Sequence, residues 1–351
     1  MKTKTFLFSL AAMALMALSA CNEIETPAQE LAPGDGNLVI NVLTEPATKA
    51  YTDAFSNDTK VTSIQAVIYE KDGSNWKYAA NLTPVLDGSK YTGSLKMPAN
   101  DYTVAVVVNG ATTYNATNAA TLAALRALTV PLTQNSTSNG TVRYGEGTVT
   151  VTKGGTASAS VTAGNLAFRV TVGTVTVSLP AAITGAGGSL SITGAFLENI
   201  YGTCSYSGTI TDFKNPGGRA DYGGAIVTSS TSYGAGLTFS SSNPADHAAA
   251  FYSYPNAVTT DNFNGALTSG QTAKCRLVLI GSWKQTSSAT AETVYYPITV
   301  DAPTAGKSYD ITATIASKGS DDPNKEPQNG TLGVDITVGN WTAGGDIEGN
   351  F

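Results

Sequence analysis

The sequence is poor in the groups that most enzymes use. It has one histidine, His247, three cysteines and 13% charged residues in a chain of 351. A Ser-His-Asp triad or a histidine-based zinc site would have to be built on His247, whose polar setting in "NPADHAAAF" reads as an exposed loop. No GxxxxGK[ST] phosphate loop is present, and the paired glycines at Gly154–Gly155, Gly187–Gly188, Gly217–Gly218 and Gly223–Gly224 read as turns. The formal net charge is -6, with no block of basic residues. That argues against a nucleic-acid partner, because phosphate recognition needs clustered Lys and Arg. Nothing singles out a carboxylate pair for glycoside hydrolysis. Asp321, Asp322, Asn324 and Glu326 in "GSDDPNKEP" lack the regular spacing of a calcium loop and read as a hairpin connection. No catalytic residue, metal or cofactor is expected.

What the chain has in quantity is Thr, Ser, Gly, Val and Tyr, arranged as short alternating runs separated by turn residues. This is the composition of an all-β protein. A length of 351 residues suits two domains of moderate size, since single cores stop growing well before that. The first residues read as an address. "MKTKTFLFSLAAMALMALSAC" carries a basic start at Lys2 and Lys4, an apolar run from Phe6 to Leu18, and then "LSAC", the pattern of a bacterial lipoprotein signal. The apolar run is short for a membrane span. Cys21 is then the expected lipidated residue, and more than one acyl chain, at about 0.8 kcal/mol per buried methylene, makes the anchor stable. The remaining cysteines, Cys204 and Cys275, would meet an oxidising compartment, either as a disulfide or as two buried thiols.

The polar, acidic stretch "NEIETPAQELAPGDG" reads as a tether. The next segment, "NLVINVL" (37–43), is apolar at Leu38, Val39, Ile40, Val42 and Leu43, which predicts a strand buried on both faces inside a sandwich. A loop containing Lys49 and Ala50 follows. From Val61 on, "VTSIQAVIY", "WKYAA", "YTGSLKM" and "YTVAVVVN" are strands punctuated by Asp-Gly turns. One helix is expected in "NAATLAALRALTV", where Leu122, Leu125 and Leu128 make an apolar stripe that can lie on the sandwich. Small residues thicken at "VTKGGTASAS", and a domain boundary is expected at 155/156. In "NLAFRVTVGTVTVSL" the apolar phase flips at Gly173–Thr174, as a bulge would cause. Tyr201, Tyr206, Tyr222 and Tyr233 lie in or near a long Gly/Ser-rich stretch, where exposed rings would stack on a ligand and buried ones would pack. Near the end, "TLGVDITVGNW" (331–341) alternates Leu332, Val334, Ile336 and Val338 with Gly333, Asp335, Thr337 and Gly339, a strand with one apolar face.

The order of these pieces resembles the fimbrillins of Bacteroidales, also called type V pilins. The resemblance runs through "LSAC", "NLVINVLTEPATKAYTD", "VTSIQAVIYEKDG", "NLAFRVTV" followed by "AFLENIYG", "AFYSYPN", "TVYYPITV" followed by "KSYDITATIASKGSDDPNKEP", and "GTLGVDITVGNW". It implies two transthyretin-like, Greek-key β-sandwich domains with one short helix in the N-terminal half. The parts would be a signal (1–21), a tether with a removable first strand (22–49), an N-terminal sandwich (50–155) and a C-terminal sandwich with a donor strand (156–351). It also implies a route. The precursor is held at the outer membrane by lipid on Cys21, and a surface protease cuts after a basic residue in the loop behind the first strand. The C-terminal strand of another copy, or of a related pilin, fills the groove left behind, which builds a fimbrium at the cell surface that supports adhesion.

Carried onto this sequence, the removable strand holds Leu38, Ile40 and Val42, the cut falls between Lys49 and Ala50, and the donor segment holds Leu332, Val334, Ile336, Val338 and Trp341. The chain departs from its well-known relatives in one respect: the cut there usually follows Arg, and here no Arg precedes Arg126, so Lys49 is the candidate with Lys60 behind it. An uncut chain would instead remain an anchored base or accessory subunit, or a surface lipoprotein that binds glycan or host protein. Burying Leu332, Val334, Ile336 and Val338 would contribute about 6–12 kcal/mol gross, at about 1.5–3 kcal/mol each. A head-to-tail contact of this kind does not close, and so gives a filament.

Overall fold

Short alternating runs become strands where turn residues let the chain reverse. Gly73 and Gly88, each following an Asp in a turn, have φ of 60° and 61°, the region that a glycine enters without a Cβ penalty. The protein is described here from a computed structural model covering residues 35–44, 60–135, 140–214, 237–238, 249–257, 274–323 and 332–340.

The first part holds β1 (Asp35–Thr44), β2 (Ile64–Asp72), β3 (Asn75–Leu82), β4 (Val85–Asp87), β5 (Lys90–Pro98), β6 (Asn100–Val108), α1 (Leu122–Ala127), β7 (Thr129–Pro131), β8 (Arg143–Val151) and β9 (Thr156–Asn165). All of these strands except β7 form one sheet in the order β3-β2-β6-β8-β9-β1-β5-β4. It bends where β8 meets β9, which pair only at Arg143 with Asn165 and Tyr144 with Gly164. The two arms enclose one core, which includes Leu38, Ile40 and Val42 of β1, Ile68 of β2, and Val104 and Val106 of β6. β6 is apolar on both faces, because Ala105 and Val107 point the other way into a second core.

The second part holds β10 (Phe168–Val177), α2 (Ala181–Gly185), β11 (Ser189–Glu198), β12 (Ile200–Ser205), β13 (Ile210–Lys214), β14 (Leu237–Thr238), β15 (Ala249–Ser253), β16 (Cys275–Lys284), β17 (Glu292–Val300), β18 (Lys307–Ile315) and β19 (Leu332–Asn340). Two four-stranded sheets, β15-β10-β18-β19 and β14-β11-β16-β17, contribute to the second core through residues such as Phe168, Val170, Leu277, Leu279 and Ile311. The phase flip in β10 is a register shift between Val172 and Val175 against β18, and both valines are buried. The bulge re-aims the strand so that both phases serve one core. The short helix α2, which the sequence reading did not anticipate, starts behind Pro180, whose fixed φ suits a helix start.

Two expectations need correction. β1 is not apolar on both faces in use: Leu38, Ile40 and Val42 are buried, but Val39 is only half-buried and Leu43 is 47% exposed. The expected division at 155/156 falls in the turn between β8 and β9, two strands of one sheet, and that sheet runs on to Asn165. Gly154, with φ of 67°, lies in the tight turn that carries the chain from β8 to β9, closed by the Gly155 amide on the Thr152 carbonyl. The expected helix forms, with its apolar stripe turned inward. Thr121 caps α1 by accepting from the Ala124 amide, Leu122 and Leu125 are buried in the second core, and Leu128 forms the C-cap, where β7 begins. β7 then pairs antiparallel with β12, with Val130 opposite Cys204. The two parts are thus joined by main-chain bonds and by a shared core.

Candidate assembly surfaces

β1 is an inner strand of its arm. Eight of its residues pair antiparallel with β5 and eight pair parallel with β9. Its side chains alternate accordingly: Leu38, Ile40 and Val42 are fully buried between the arms, while Asn41, on the outer phase, donates to Ser158 Oγ at 2.8 Å and accepts from Lys90 Nζ at 3.1 Å. At the inward position before Leu38 the residue is Gly36, where a Cβ would lie 2.4 Å from the Thr152 carbonyl oxygen. A strand in this slot must therefore be bare at that point or stop short of it. β1 is followed by the segment 45–59, so the chain enters and leaves this central strand by connections that lie outside the described residues.

β19 occupies a different kind of place. Among the described residues it lies at the outer edge of its sheet and pairs antiparallel with β18 alone, from Leu332 opposite Ile315 to Asn340 opposite Lys307. Leu332, Val334, Ile336 and Val338 fall on the register row of Ile315, Ala313, Ile311 and Tyr309, all buried. Val334 packs against the second core, whereas Val338 is 47% exposed and Gly333 and Thr337 face outward. The last strand thus completes a sheet of its own chain in this structure, and its second main-chain edge has no partner strand among the described residues.

The other candidates separate. Cys21, Lys49, Ala50, Trp341 and His247 lie outside the described residues, as do Tyr222, Tyr233, Asn324 and Glu326. Cys204 and Cys275 are buried free thiols, on β12 and β16, so the disulfide alternative does not hold here and the apolar-thiol alternative does. Burial pushes the Cys204 thiol up to about 11 and raises that of Cys275 further. Tyr206 packs rather than binds. It stacks on Tyr144 with ring centroids 5.1 Å apart, meets Tyr114 edge-on, and shares a hydrogen bond between the Tyr114 and Tyr206 hydroxyls. Tyr144 donates to Glu146, which Arg126 holds with a two-point ion pair at 2.5 and 2.8 Å. Burial works against the Glu146 charge, but the hydrogen bonds from Arg126 and Tyr144 prevail and hold the carboxyl below its ordinary value. This polar and aromatic joint beside α1 and β12 was not legible in the sequence. Its members come from four separate stretches of chain.

The class of molecule is therefore a β protein of two bonded parts, with an inner strand at its beginning and an edge strand at its end. No protein-family model matches the chain, and no curated protein matches it. Solved structures do. Two putative cell adhesion proteins are similar in fold. The one from Parabacteroides distasonis has a TM-score of 0.60 at 16% identity, with 88% of this chain and 99% of that one covered. The one from Bacteroides eggerthii has a TM-score of 0.61 at 17% identity, with 90% and 99% covered. A fimbrilin from Porphyromonas gingivalis has a TM-score of 0.57 at 13% identity, with 89% and 99% covered. The chain shares the fold of these proteins over most of its length.

Proposed function

We propose that this chain is a subunit of a cell-surface fimbrium of the Bacteroidales type that supports adhesion. In this reading it is exported as a lipoprotein on Cys21, trimmed after Lys49, and polymerised when the β19 segment of another copy replaces β1. The observation that carries the reading is the inner place of β1. Its departure would leave β5 and β9 with unpaired ladders facing one another and an apolar slot lined by the first core. Such a slot recruits a strand, since backbone donors and acceptors and apolar side chains are satisfied together. Because β5 and β9 run in opposite senses, an incoming strand of either direction meets one parallel and one antiparallel neighbour. β19 has the matching period and, among the described residues, is held by one neighbour, so its release breaks that one ladder. The shared fold with a fimbrilin and with cell adhesion proteins supports the same reading.

The test is the N-terminal residue of the protein in material sheared from producing cells, determined by mass spectrometry beside the membrane fraction. Ala50 in the sheared material is the expected result. Acylated Cys21 in every fraction, with none of the protein in the sheared material, would replace this reading with that of a permanently anchored subunit or binding lipoprotein.

A further inference from the structure

Lys60 is the basic residue nearest the body after the candidate cut, and its side chain is exposed. Its carbonyl is not free. Asn109, at the end of β6, is 1% exposed and has φ of 57°, a left-handed conformation that turns its side chain back onto the segment leading into β2. Asn109 Nδ2 donates to the Lys60 carbonyl at 2.7 Å and to the Thr141 carbonyl at 2.9 Å. Asn109 Oδ1 accepts from the Thr62 amide at 2.8 Å, the Thr62 hydroxyl at 3.0 Å and the Ser63 amide at 3.3 Å. The Asn109 amide donates to the Ser63 carbonyl at 2.8 Å. On the other side stands buried Gly140, where a Cβ would lie 2.2 Å from the Lys60 carbonyl oxygen. A single side chain thus holds main-chain groups on both sides of the Lys60–Val61 peptide, and a bare backbone closes over its carbonyl.

A protease that cuts after a basic residue must take the chain in extended form and receive the scissile carbonyl oxygen in its oxyanion hole. It also pairs with main-chain groups flanking the bond, as an added strand does. Here those groups are already engaged within the protein. We propose that Asn109 and Gly140 form a proteolytic stop: they make the Lys60–Val61 bond resistant although Lys60 is exposed, and so confine trimming to basic residues upstream of the body. This rests on the reading that the chain is trimmed behind β1. The same clasp anchors the start of β2, so that loss of β1 does not let the body unravel from its new end.

The experiment uses the purified protein, trypsin, and mass spectrometry of the N-termini released over time. A synthetic peptide of residues 56–66 serves as the unclasped reference. Cleavage after Lys60 is expected to be at least about 100-fold slower in the folded protein than in the peptide, because cutting must wait for local opening. Asn109→Gly keeps the left-handed backbone and removes only the amide; it is expected to speed the cut after Lys60 at least about tenfold, with cutting after Lys96 unchanged. Gly140→Ala, which presses a methyl onto the Lys60 carbonyl, is expected to act in the same direction. Equal rates for wild type and peptide would overturn the proposal. So would equal acceleration after Lys60 and Lys96 in both variants, which would assign the protection to the fold as a whole. The trimming reading is judged separately, by the N-terminus found on cells, so either can fail while the other stands.

Discussion

The first and the last strands of this protein carry nearly the same side-chain pattern and sit in unlike places. β1 presents Leu38, Ile40 and Val42 on one phase, all buried, and β19 carries Leu332, Val334, Ile336 and Val338 on one phase, of which Val334 packs against the second core and Val338 is exposed. Yet among the described residues β1 is bonded on both edges and β19 on one. The difference separates two contributions that are usually lost together. Side chains decide which face of a strand is buried, while the number of paired edges decides how much ladder must break before the strand can leave. By that measure less main-chain ladder holds β19 than β1 among the described residues. In the proposed assembly the cut behind β1 would remove its connection to the body.

The largest expected effect comes from removing β19 altogether. A chain lacking residues 330–351 should remain a soluble monomer and form no fibres when surface material is viewed by electron microscopy; fibres of ordinary length would break the assignment of donor and slot. A smaller effect distinguishes the two strands within one molecule. Ile40→Ala should cost about 2–5 kcal/mol in urea unfolding of the untrimmed chain, as for other buried aliphatic truncations. Val338→Ala, at a position 47% exposed, should stay within about 0.5 kcal/mol. Similar losses from both would mean that the edge strand is as firmly built in as the inner one.

Gly36→Ala sharpens the slot itself. A methyl there would sit 2.4 Å from the Thr152 carbonyl oxygen. It should cost about 1–3 kcal/mol in the untrimmed chain, and a polymer from which β1 has departed should melt as wild type does. The smallest effect concerns the polar and aromatic joint between the two parts. The folded-state pKa of Glu146 is lowered, so its contribution is fully present above the ordinary carboxylate value and is lost as pH falls through the depressed one. Arg126 is about half exposed in this pair, so the contribution is discounted to about 0.5 kcal/mol or less. Thermal melts between about pH 5 and about pH 3 should show a slightly shallower acid decline in Glu146→Gln; an identical decline would remove Glu146 from the account.

Much of this architecture could be read from residue order. The Asp-Gly turns placed the hairpins, the Thr/Val/Tyr-rich runs gave the strands, and the phase flip at Gly173–Thr174 located the bulge in β10. Reading failed where composition imitated something else. The "VTKGGTASAS" segment looked like a domain boundary and is a tight turn followed by β9, the parallel neighbour of β1. β1 looked doubly buried because Val39 and Leu43 are apolar, yet its outer face is only partly covered. Tyr206 was a ring among turn residues until Tyr114 and Tyr144 were brought against it. Asn109 gave no signal beyond being an Asn beside a Gly at the end of an apolar run.

The sequence by itself determined which residues form strands and which face of each strand is apolar, because alternation of side chains is a local property with a fixed period of two. It determined the turns for the same reason, through residues that tolerate the required φ. Only the tertiary structure decided that, among the described residues, β1 lies between two neighbours and β19 beside one, that β7 crosses over to β12, and that Asn109 closes on Lys60. Strand edges are made of main-chain amides and carbonyls, which nearly every residue carries alike, so the order of strands in a sheet leaves little mark on the side chains. It is fixed by how the whole chain packs.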